Sequence, residues 1–291
     1  MLFNSFQFII FFIIVFTFYW ILKHKYRWIL LLVASYYFYM CWRAEYALLL
    51  FFGTFTSYVC GLLIERSKKK SPEKSRGGRL YVWLNAIICF SLLIYFKYLN
   101  FICQSINGIF DIFSFLPQID IPVFDIVLPV GISFHIFQNV GYTTDVYRDR
   151  VSVEKHFGYY ALFASYFPQL VAGPIERTEN LMPQLHKEHK FNYDQATDGV
   201  RLMLFGMFKK VAVADTLAVF VDNVYNSLET FCGLALIAAT VLFAFQIYCD
   251  FSGYSDIARG CSKLLGIELM LNFQSPYFAN SISEFWRKWH I

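Results

Sequence analysis

The chain has 291 residues, of which 57% are hydrophobic, 21% are aromatic and only 16% are charged. A water-soluble body of this size cannot hide so much apolar surface, and soluble domains usually carry about 25% charged residues. The formal net charge is +4, and the positive residues cluster in short loops between apolar runs. This pattern excludes nucleic acid as the expected partner and favours membrane lipid.

Apolar runs of the length that crosses a bilayer, about 20 residues, recur along the chain. Five runs of roughly this length cover residues 6–22, 46–64, 80–103, 200–221 and 233–249, and a shorter one covers residues 28–40. Lys209 and Lys210 interrupt the run at residues 200–221, and their long side chains could reach the membrane interface. We therefore predict an all-α polytopic integral membrane protein, with residues 1–291 as a single membrane-embedded domain.

One stretch predicts a solvated loop: residues 65–79, which read ERSKKKSPEKSRGGR. Its Pro, Ser and Gly content and its charge should stop a helix. The excess of positive charge places this loop in the cytoplasm, and the basic residues after the first run belong on the same side. The amino terminus is then expected outside. The loop could also attract an anionic acyl donor, but membrane topology is the preferred explanation of its charge.

Two further apolar runs, residues 126–144 and 157–175, are broken by proline and glycine. Pro129 and Gly131 interrupt the first, and Pro168 interrupts the second. Irregular backbone is tolerated at membrane depth only where protein or a water-filled cavity covers it. We therefore expect kinked or re-entrant helices in these two runs.

The seven cysteines show no C-x-x-C spacing, and most lie in apolar runs. We interpret them as small packing residues rather than as a disulfide framework or a metal site. The nucleotide-binding and zinc-protease motifs are also absent from the sequence. The prediction is that the protein holds neither a metal nor a bound cofactor.

Ionisable and polar residues inside membrane segments are costly and are functional candidates by default. The candidates are His135, Gln138, Asp250, Tyr254, Trp286, Arg287 and His290. Structural alternatives exist for most of them. His135 could be a hydrogen-bonded core histidine, and Asp250 could cap or staple a helix. Trp286 and Trp289 could be interfacial anchors, with Arg287 and Lys288 as flanking positive charges. Anchoring does not explain the histidine beside them.

The stretch SEFWRKWHI supports a chemical role for His290. If residues 283–290 are helical, Trp286 and Arg287 lie four and three positions before His290 on neighbouring faces. A nearby positive charge and burial both favour the neutral imidazole. A neutral imidazole can accept a proton near pH 7, which makes His290 a candidate general base.

Four stretches occur in a characteristic order: PVGISFHIFQNVGYTTDVYRDR, YFPQLVAGPIER, FQIYCDFSGYSDIARG and NFQSPYFANSISEFWRKWHI. Together they resemble the membrane-bound O-acyltransferase family, specifically its bacterial branch that includes alginate O-acetylation proteins. The resemblance covers essentially the whole chain. It implies a helical protein of the bacterial inner membrane with a funnel or tunnel through the bilayer, and His290 matches the catalytic histidine of the family.

The resemblance also implies a reaction. An acyl group, with acetyl as our expectation, would pass from a cytoplasmic thioester donor to a hydroxyl of an exported or cell-surface polysaccharide. The donor would be acetyl-CoA or an acyl carrier protein. An esterase-like protein that handles acetyl groups outside the cytoplasm is a further expected partner. The other polar candidates would line the tunnel.

Relatives continue beyond this histidine with further spanning helices and a second histidine. We therefore expect an amino-terminal fragment that is inactive alone. Two other functions remain open. A transporter or channel would also contain broken helices and intramembrane polar residues. A non-catalytic membrane protein could dock an extracytoplasmic acyl-handling partner.

Overall fold

The computed structural model describes residues 1–70, 76–112, 122–124, 126–170, 173–174 and 176–291. Within these ranges the regular structure is helical, no strand occurs, and the only β-type pairing is an isolated bridge. This confirms the all-α prediction. Two compact units are formed: a terminal unit, Met1–Trp42 with Gly158–Ile291, and a middle unit, Arg43–Phe157. That residues 1–291 act as one functional domain stays a prediction.

In the terminal unit, α1 covers Phe6–Ile21 and α2 covers His24–Met40. The Ser5 side chain caps α1 by accepting a hydrogen bond from the Phe8 N–H at 3.2 Å. α1 and α2 meet α8, Phe167–Leu170, around Phe38, whose ring centroid lies 6.1 Å from that of Phe8 and 5.9 Å from that of Phe167. These aromatic contacts form one part of the unit's core.

The remaining helices of the terminal unit follow α7, which covers Phe157–Ser165. They are α9 (Thr178–His186), α10 (Tyr193–Met207), α11 (Asp215–Asn226), α12 (Gly233–Leu264) and α13 (Ile282–Lys288). A π-helical segment, Phe208–Ala214, joins α10 to α11 without a break, so one long helix faces α12. A single 3₁₀ turn, Pro276–Phe278, precedes α13.

The middle unit contains α3 (Tyr46–Lys70), α4 (Arg76–Leu93), α5 (Leu99–Ile112) and α6 (Ile132–Tyr147). A second π segment, Ile94–Tyr98, links α4 to α5. α3, α4 and α6 pack against one another. Cys89 and Leu93 of α4 pack with Ile132 and Ile136 of α6 in a buried apolar cluster.

Three helices in the described part of the chain are long and apolar enough to cross a membrane: Tyr46–Lys70, Gly78–Phe110 and Gly233–Leu264. They contain the apolar runs predicted at residues 46–64, 80–103 and 233–249. α1 is equally apolar, but it has only 16 residues.

The predicted loop at residues 65–79 is shorter than expected, because α3 continues through Lys70 and α4 begins at Arg76. Residues 71–75 lie outside the described residues. The α3 end is rich in Glu, Arg and Lys, which are good helix formers, and local contacts stabilise it further. Lys69 forms an ion pair with Glu65 one turn earlier, and Lys68 Nζ donates to the Tyr147 carbonyl oxygen at 2.7 Å. The cytoplasmic location of this segment stays a prediction.

The two broken apolar runs are interrupted in the structure. Gly131 has φ 74°, a left-handed conformation that glycine adopts readily, and α6 starts directly after it. In the second run, α7 ends at Ser165 and α8 is a single turn. Residues 125, 171–172 and 175 lie outside the described residues.

α10 and α12 approach each other backbone to backbone at two glycine pairs. A Cβ added to Gly206 would lie 2.6 Å from the Gly253 carbonyl oxygen, and one added to Gly260 would lie 2.5 Å from that of Gly199. The paired glycines are seven residues apart on each helix and run in opposite order, so the helices are antiparallel. Small residues of this kind allow the close helix packing typical of membrane proteins.

The substitution Gly206→Ala should destabilise the protein by about 1–3 kcal/mol, because the new methyl group would overlap main-chain atoms of α12. Thermal unfolding in detergent micelles measures this loss. The matched control is Gly141→Ala in α6, where an added Cβ has no neighbour within 4 Å. Equal unfolding temperatures for the two variants would contradict the close packing.

Candidate functional site

His290 lies outside helix α13, contrary to the expectation that residues 283–290 are helical. The helix ends at Lys288, and Trp289 forms an antiparallel bridge with Phe273. Two main-chain hydrogen bonds flank this bridge: Gln274 N–H donates to the Lys288 carbonyl at 3.0 Å, and Ile291 N–H donates to the Asn272 carbonyl at 3.0 Å. Non-local pairing overrides helix continuation, so the expected helical spacing to Trp286 and Arg287 does not apply.

The backbone of His290 is left-handed, with φ 54°. An L-residue in this region costs roughly 1–2 kcal/mol, so the surrounding contacts must hold it there. The hydrogen bond from Ile291 N–H supplies such a contact immediately after the residue. The conformation turns the imidazole towards two phenylalanines, with ring centroids 6.0 Å from Phe273 and 6.4 Å from Phe251.

The imidazole of His290 is half-buried. Burial lowers its pKa below the usual histidine value, because the charged form is poorly solvated beside apolar rings. The ring is therefore neutral at pH 7 and able to accept a proton. Of the two causes predicted from the sequence, burial and a nearby positive charge, burial is the one that lowers the pKa of His290 in the structure.

An aromatic cluster holds the segment that carries His290. The Trp289 ring centroid lies 5.1 Å from that of Phe273 and 5.5 Å from that of Phe285. The Tyr277 hydroxyl donates to the Ala244 carbonyl oxygen at 2.6 Å and so ties this cluster to α12. The sequence offered Trp289 only as an interfacial anchor, whereas the structure packs it in this cluster beside the candidate base.

Trp286 and Arg287 lie on the outside of α13. Trp286 is 64% exposed and Arg287 is also exposed. These positions agree with the interfacial-anchor interpretation. Their role as tunnel residues stays a prediction.

Asp250 and Tyr254 are brought together by Lys210. The Lys210 ammonium lies 2.6 Å from an Asp250 carboxylate oxygen, 2.9 Å from one of Asp215, and 5.4 Å from the centroid of the Tyr254 ring. These groups surround the π segment between α10 and α11. The structure thus favours the structural interpretation of Asp250, as part of an ion pair between helices.

The neighbouring Lys209 has a different partner, Asp256, with which it forms a short ion pair. Arg259 lies 3.5 Å from the same carboxylate group. Sequence reasoning placed both lysines at the membrane interface. The structure instead pairs each with an aspartate of α12. The signal that could have found them is the group of acidic residues, four aspartates and one glutamate, that accompanies the three cations of residues 209–259.

His135 lies in the middle unit, inside a buried hydrogen-bonded network. Its Nε2 atom is 2.9 Å from Asn139 Nδ2. Asn85 Nδ2 donates to Thr143 Oγ1 at 3.0 Å, and Ser57 Oγ donates to Asn85 Oδ1 at 2.8 Å. The network connects α3, α4 and α6, which supports the interpretation of His135 as a satisfied core histidine.

Gln138 is also buried on α6, at 7% exposure. As tunnel residues, Gln138 and His135 stay predictions. Across the described ranges, no group of three or more His, Cys, Asp or Glu side chains could hold a metal ion. All seven cysteines are free thiols.

Comparison with known proteins connects this arrangement to one family. Residues 105–291 match the model of MBOAT, the membrane-bound O-acyltransferase family. The whole chain is 37% identical over 292 residues to a Pseudomonas putida protein named probable alginate O-acetylase AlgI, covering 58% of that protein. The protein of the same name from Pseudomonas aeruginosa is 37% identical over 293 residues, again over the whole chain, with 54% of it covered.

A third relative has a different name. The peptidoglycan O-acetyltransferase of Helicobacter pylori is 33% identical over 287 residues, covering 90% of this chain and 52% of that protein. The chain spans about half the length of the curated relatives it matches.

Replacing Asp256 by asparagine should destabilise the protein by roughly 3 kcal/mol, because Lys209 and Arg259 would lose their shared carboxylate in a poorly solvated site. Thermal unfolding in detergent micelles checks this value. Asp222→Asn, an exposed aspartate on α11, is the control and should change stability by less than about 0.5 kcal/mol. A small and equal effect of both substitutions would show that the ion pair contributes little.

Proposed function

The chain belongs to the membrane-bound O-acyltransferase family, and we propose that the protein transfers an acyl group to a hydroxyl of an exported or cell-surface polysaccharide. It is a multi-pass membrane protein, as its family and its long apolar helices show. The observation that carries the proposal is the half-buried imidazole of His290, which burial keeps neutral beside Phe273 and Phe251.

His290 acts as the general base in this proposal. The neutral imidazole takes the proton of the acceptor hydroxyl, and the oxygen attacks the carbonyl carbon of the thioester. The carbon–sulfur bond then breaks, and the imidazolium returns the proton to the leaving thiolate. A hydroxyl is a poor nucleophile until its proton is removed, so the chemistry requires such a base.

The proposed donor is a cytoplasmic thioester, either acetyl-CoA or an acyl carrier protein carrying an acetyl group. It is a co-substrate, so the protein needs no bound cofactor for this reaction. The relatives' names specify alginate and peptidoglycan. A glycan hydroxyl is therefore the acceptor that we propose for this chain.

We place the protein in the bacterial inner membrane with its amino terminus outside. Residues 65–79 and the basic residues after α1 then face the cytoplasm, where positive loops are retained. An esterase-like protein outside the cytoplasm is the proposed partner that handles acetyl groups after export. Transport and non-catalytic docking are the competing functions.

Substituting His290 by alanine in the intact protein should reduce acyl transfer by about 10²–10⁴-fold, the usual contribution of a general base. The assay follows release of the free thiol together with acylation of the polysaccharide. His156→Ala, an exposed histidine of the middle unit, is the control and should remain fully active. Full activity of His290→Ala would favour transport. Partner pull-down without thioester consumption would favour docking.

The pH dependence of the transfer reaction should follow the lowered pKa of His290. Since the neutral ring is the active form, activity should persist below the ordinary histidine pKa of about 6.5 and fall only at more acidic pH. Phe273→Ser, which removes an apolar ring from the imidazole, should move this acidic limb towards 6.5. An acidic limb at or above 6.5 in the unmodified protein would contradict the role of burial.

A further inference from the structure

Three polar side chains, spaced four residues apart, form a row along α9: Glu176, Asn180 and Gln184. Glu176 precedes the helix by two residues, and the other two lie within it. Asn180 Nδ2 donates to Glu176 Oε2 at 2.7 Å, and Gln184 Nε2 lies 3.3 Å from Asn180 Oδ1. Hydrogen bonds therefore link the three side chains to one another.

The row binds the main chain of residues 268–270. Glu268 N–H donates to Gln184 Oε1 at 2.8 Å, and the Glu268 carbonyl oxygen accepts from Gln184 Nε2 at 2.9 Å. The same carbonyl accepts from Asn180 Nδ2 at 3.2 Å, and Met270 N–H donates to Glu176 Oε1 at 2.5 Å. The side chains thus provide hydrogen-bond partners for backbone N–H and C=O groups, as an adjacent strand would.

The bound segment leads directly to the partner of His290. Two residues beyond Met270, the Asn272 carbonyl accepts the hydrogen bond from Ile291 N–H, and Phe273 bridges to Trp289. The Asn272 side chain also donates to Ser255 Oγ on α12 at 2.9 Å. A single extended stretch, residues 268–273, is therefore bound by α9 at one end and by residues 289–291 at the other.

Glu176 is the most deeply buried member of the row, because the residue is only 3% exposed. Burial raises the pKa of its carboxyl group above the usual value, and hydrogen bonds from Asn180 Nδ2 and Met270 N–H, together with the positive charge of Arg259, offset this only in part. A buried carboxyl group destabilises the fold unless its oxygens accept hydrogen bonds. Its presence in the row indicates that the position of residues 268–270 is tightly specified.

We propose that the Glu176–Asn180–Gln184 row positions the general base: it fixes residues 268–273 and, through their pairing with residues 289–291, the imidazole of His290. The row contacts the main chain of residues 268–270 and acts on the imidazole only through it, so its members are positioning residues. The inference rests on the proposed function of His290. It adds a buried carboxyl group, distant in sequence, on which the geometry of the reaction centre depends.

Glu176→Gln in the intact protein tests the proposal, because glutamine keeps the size but replaces an acceptor oxygen by a donor that faces Asn180 Nδ2. The rate constant kcat should fall roughly ten- to hundredfold, as expected for a misplaced base, with KM for the thioester changed less than twofold. Glu179→Gln, an exposed acid on the same helix, is the matched control and should leave kcat unchanged. An unchanged kcat in Glu176→Gln would overturn the proposal.

A double substitution separates positioning from a general loss of stability. In the His290→Ala background, Glu176→Gln should cause no further decrease in kcat, because the base it positions is already absent. An equal loss in both backgrounds would assign Glu176 a merely structural role. If Glu176→Gln does not fold, Gln184→Ala removes the contacts to Glu268 and provides the same comparison.

Hydrogen–deuterium exchange tests the positioning without relying on catalysis. Glu176→Gln should accelerate exchange in peptides covering residues 268–291 and leave residues 233–246 of α12 unchanged. Unaltered exchange in residues 268–291 overturns the inference. Accelerated exchange together with a fully active His290→Ala protein overturns the proposed base and the catalytic part of the inference, so the two failures are distinguishable.

Discussion

Main-chain pairing between residues 272–274 and 288–291 holds the candidate base in place, and the local geometry depends on it. The pairing ends α13 at Lys288 and holds His290 in a left-handed conformation that an isolated chain rarely adopts. Because the partner segment, residues 268–273, is itself bound to α9 and α12, the imidazole is positioned by contacts from three parts of the terminal unit. A histidine at position 290 can therefore act as proposed only while these contacts hold its side chain in place.

Polar groups in the apolar parts of the molecule are paired with one another through ion pairs or hydrogen bonds. On α12, Asp250 and Asp256 are matched by Lys210 and Lys209, and in the middle unit His135 belongs to a network of amide and hydroxyl groups. Unpaired charges would be severely penalised in such surroundings. His290 differs in kind, because its environment lowers the pKa by burial and packs aromatic rings around it. The catalytic role that we propose is therefore placed on His290 rather than on the ion-paired aspartates or on His135.

Hydropathy predicted the three long apolar helices correctly, since about 20 consecutive apolar residues have few alternatives to crossing a membrane. The breaks near Gly131 and after Ser165 were also predictable, because proline and glycine act locally. Contacts between distant residues were not predictable. The helical continuation through His290 was wrong because Phe273, sixteen residues earlier, competes for the backbone of Trp289. The lysine partners also depend on a π segment, which has no clear sequence signal.

The glycine pairs between α10 and α12 have a mechanical consequence. The matched glycines already favour one axial register, because a shift along the axes would bring side chains against the facing backbone. The ion pairs of Lys209 and Lys210 reinforce that register. A slip by one helical turn would displace each ammonium group by about 5.4 Å from its carboxylate and leave both charges unpaired in an apolar environment. Close contact and ion pairing thus select the same register, and neutralising a charge would remove only the second contribution.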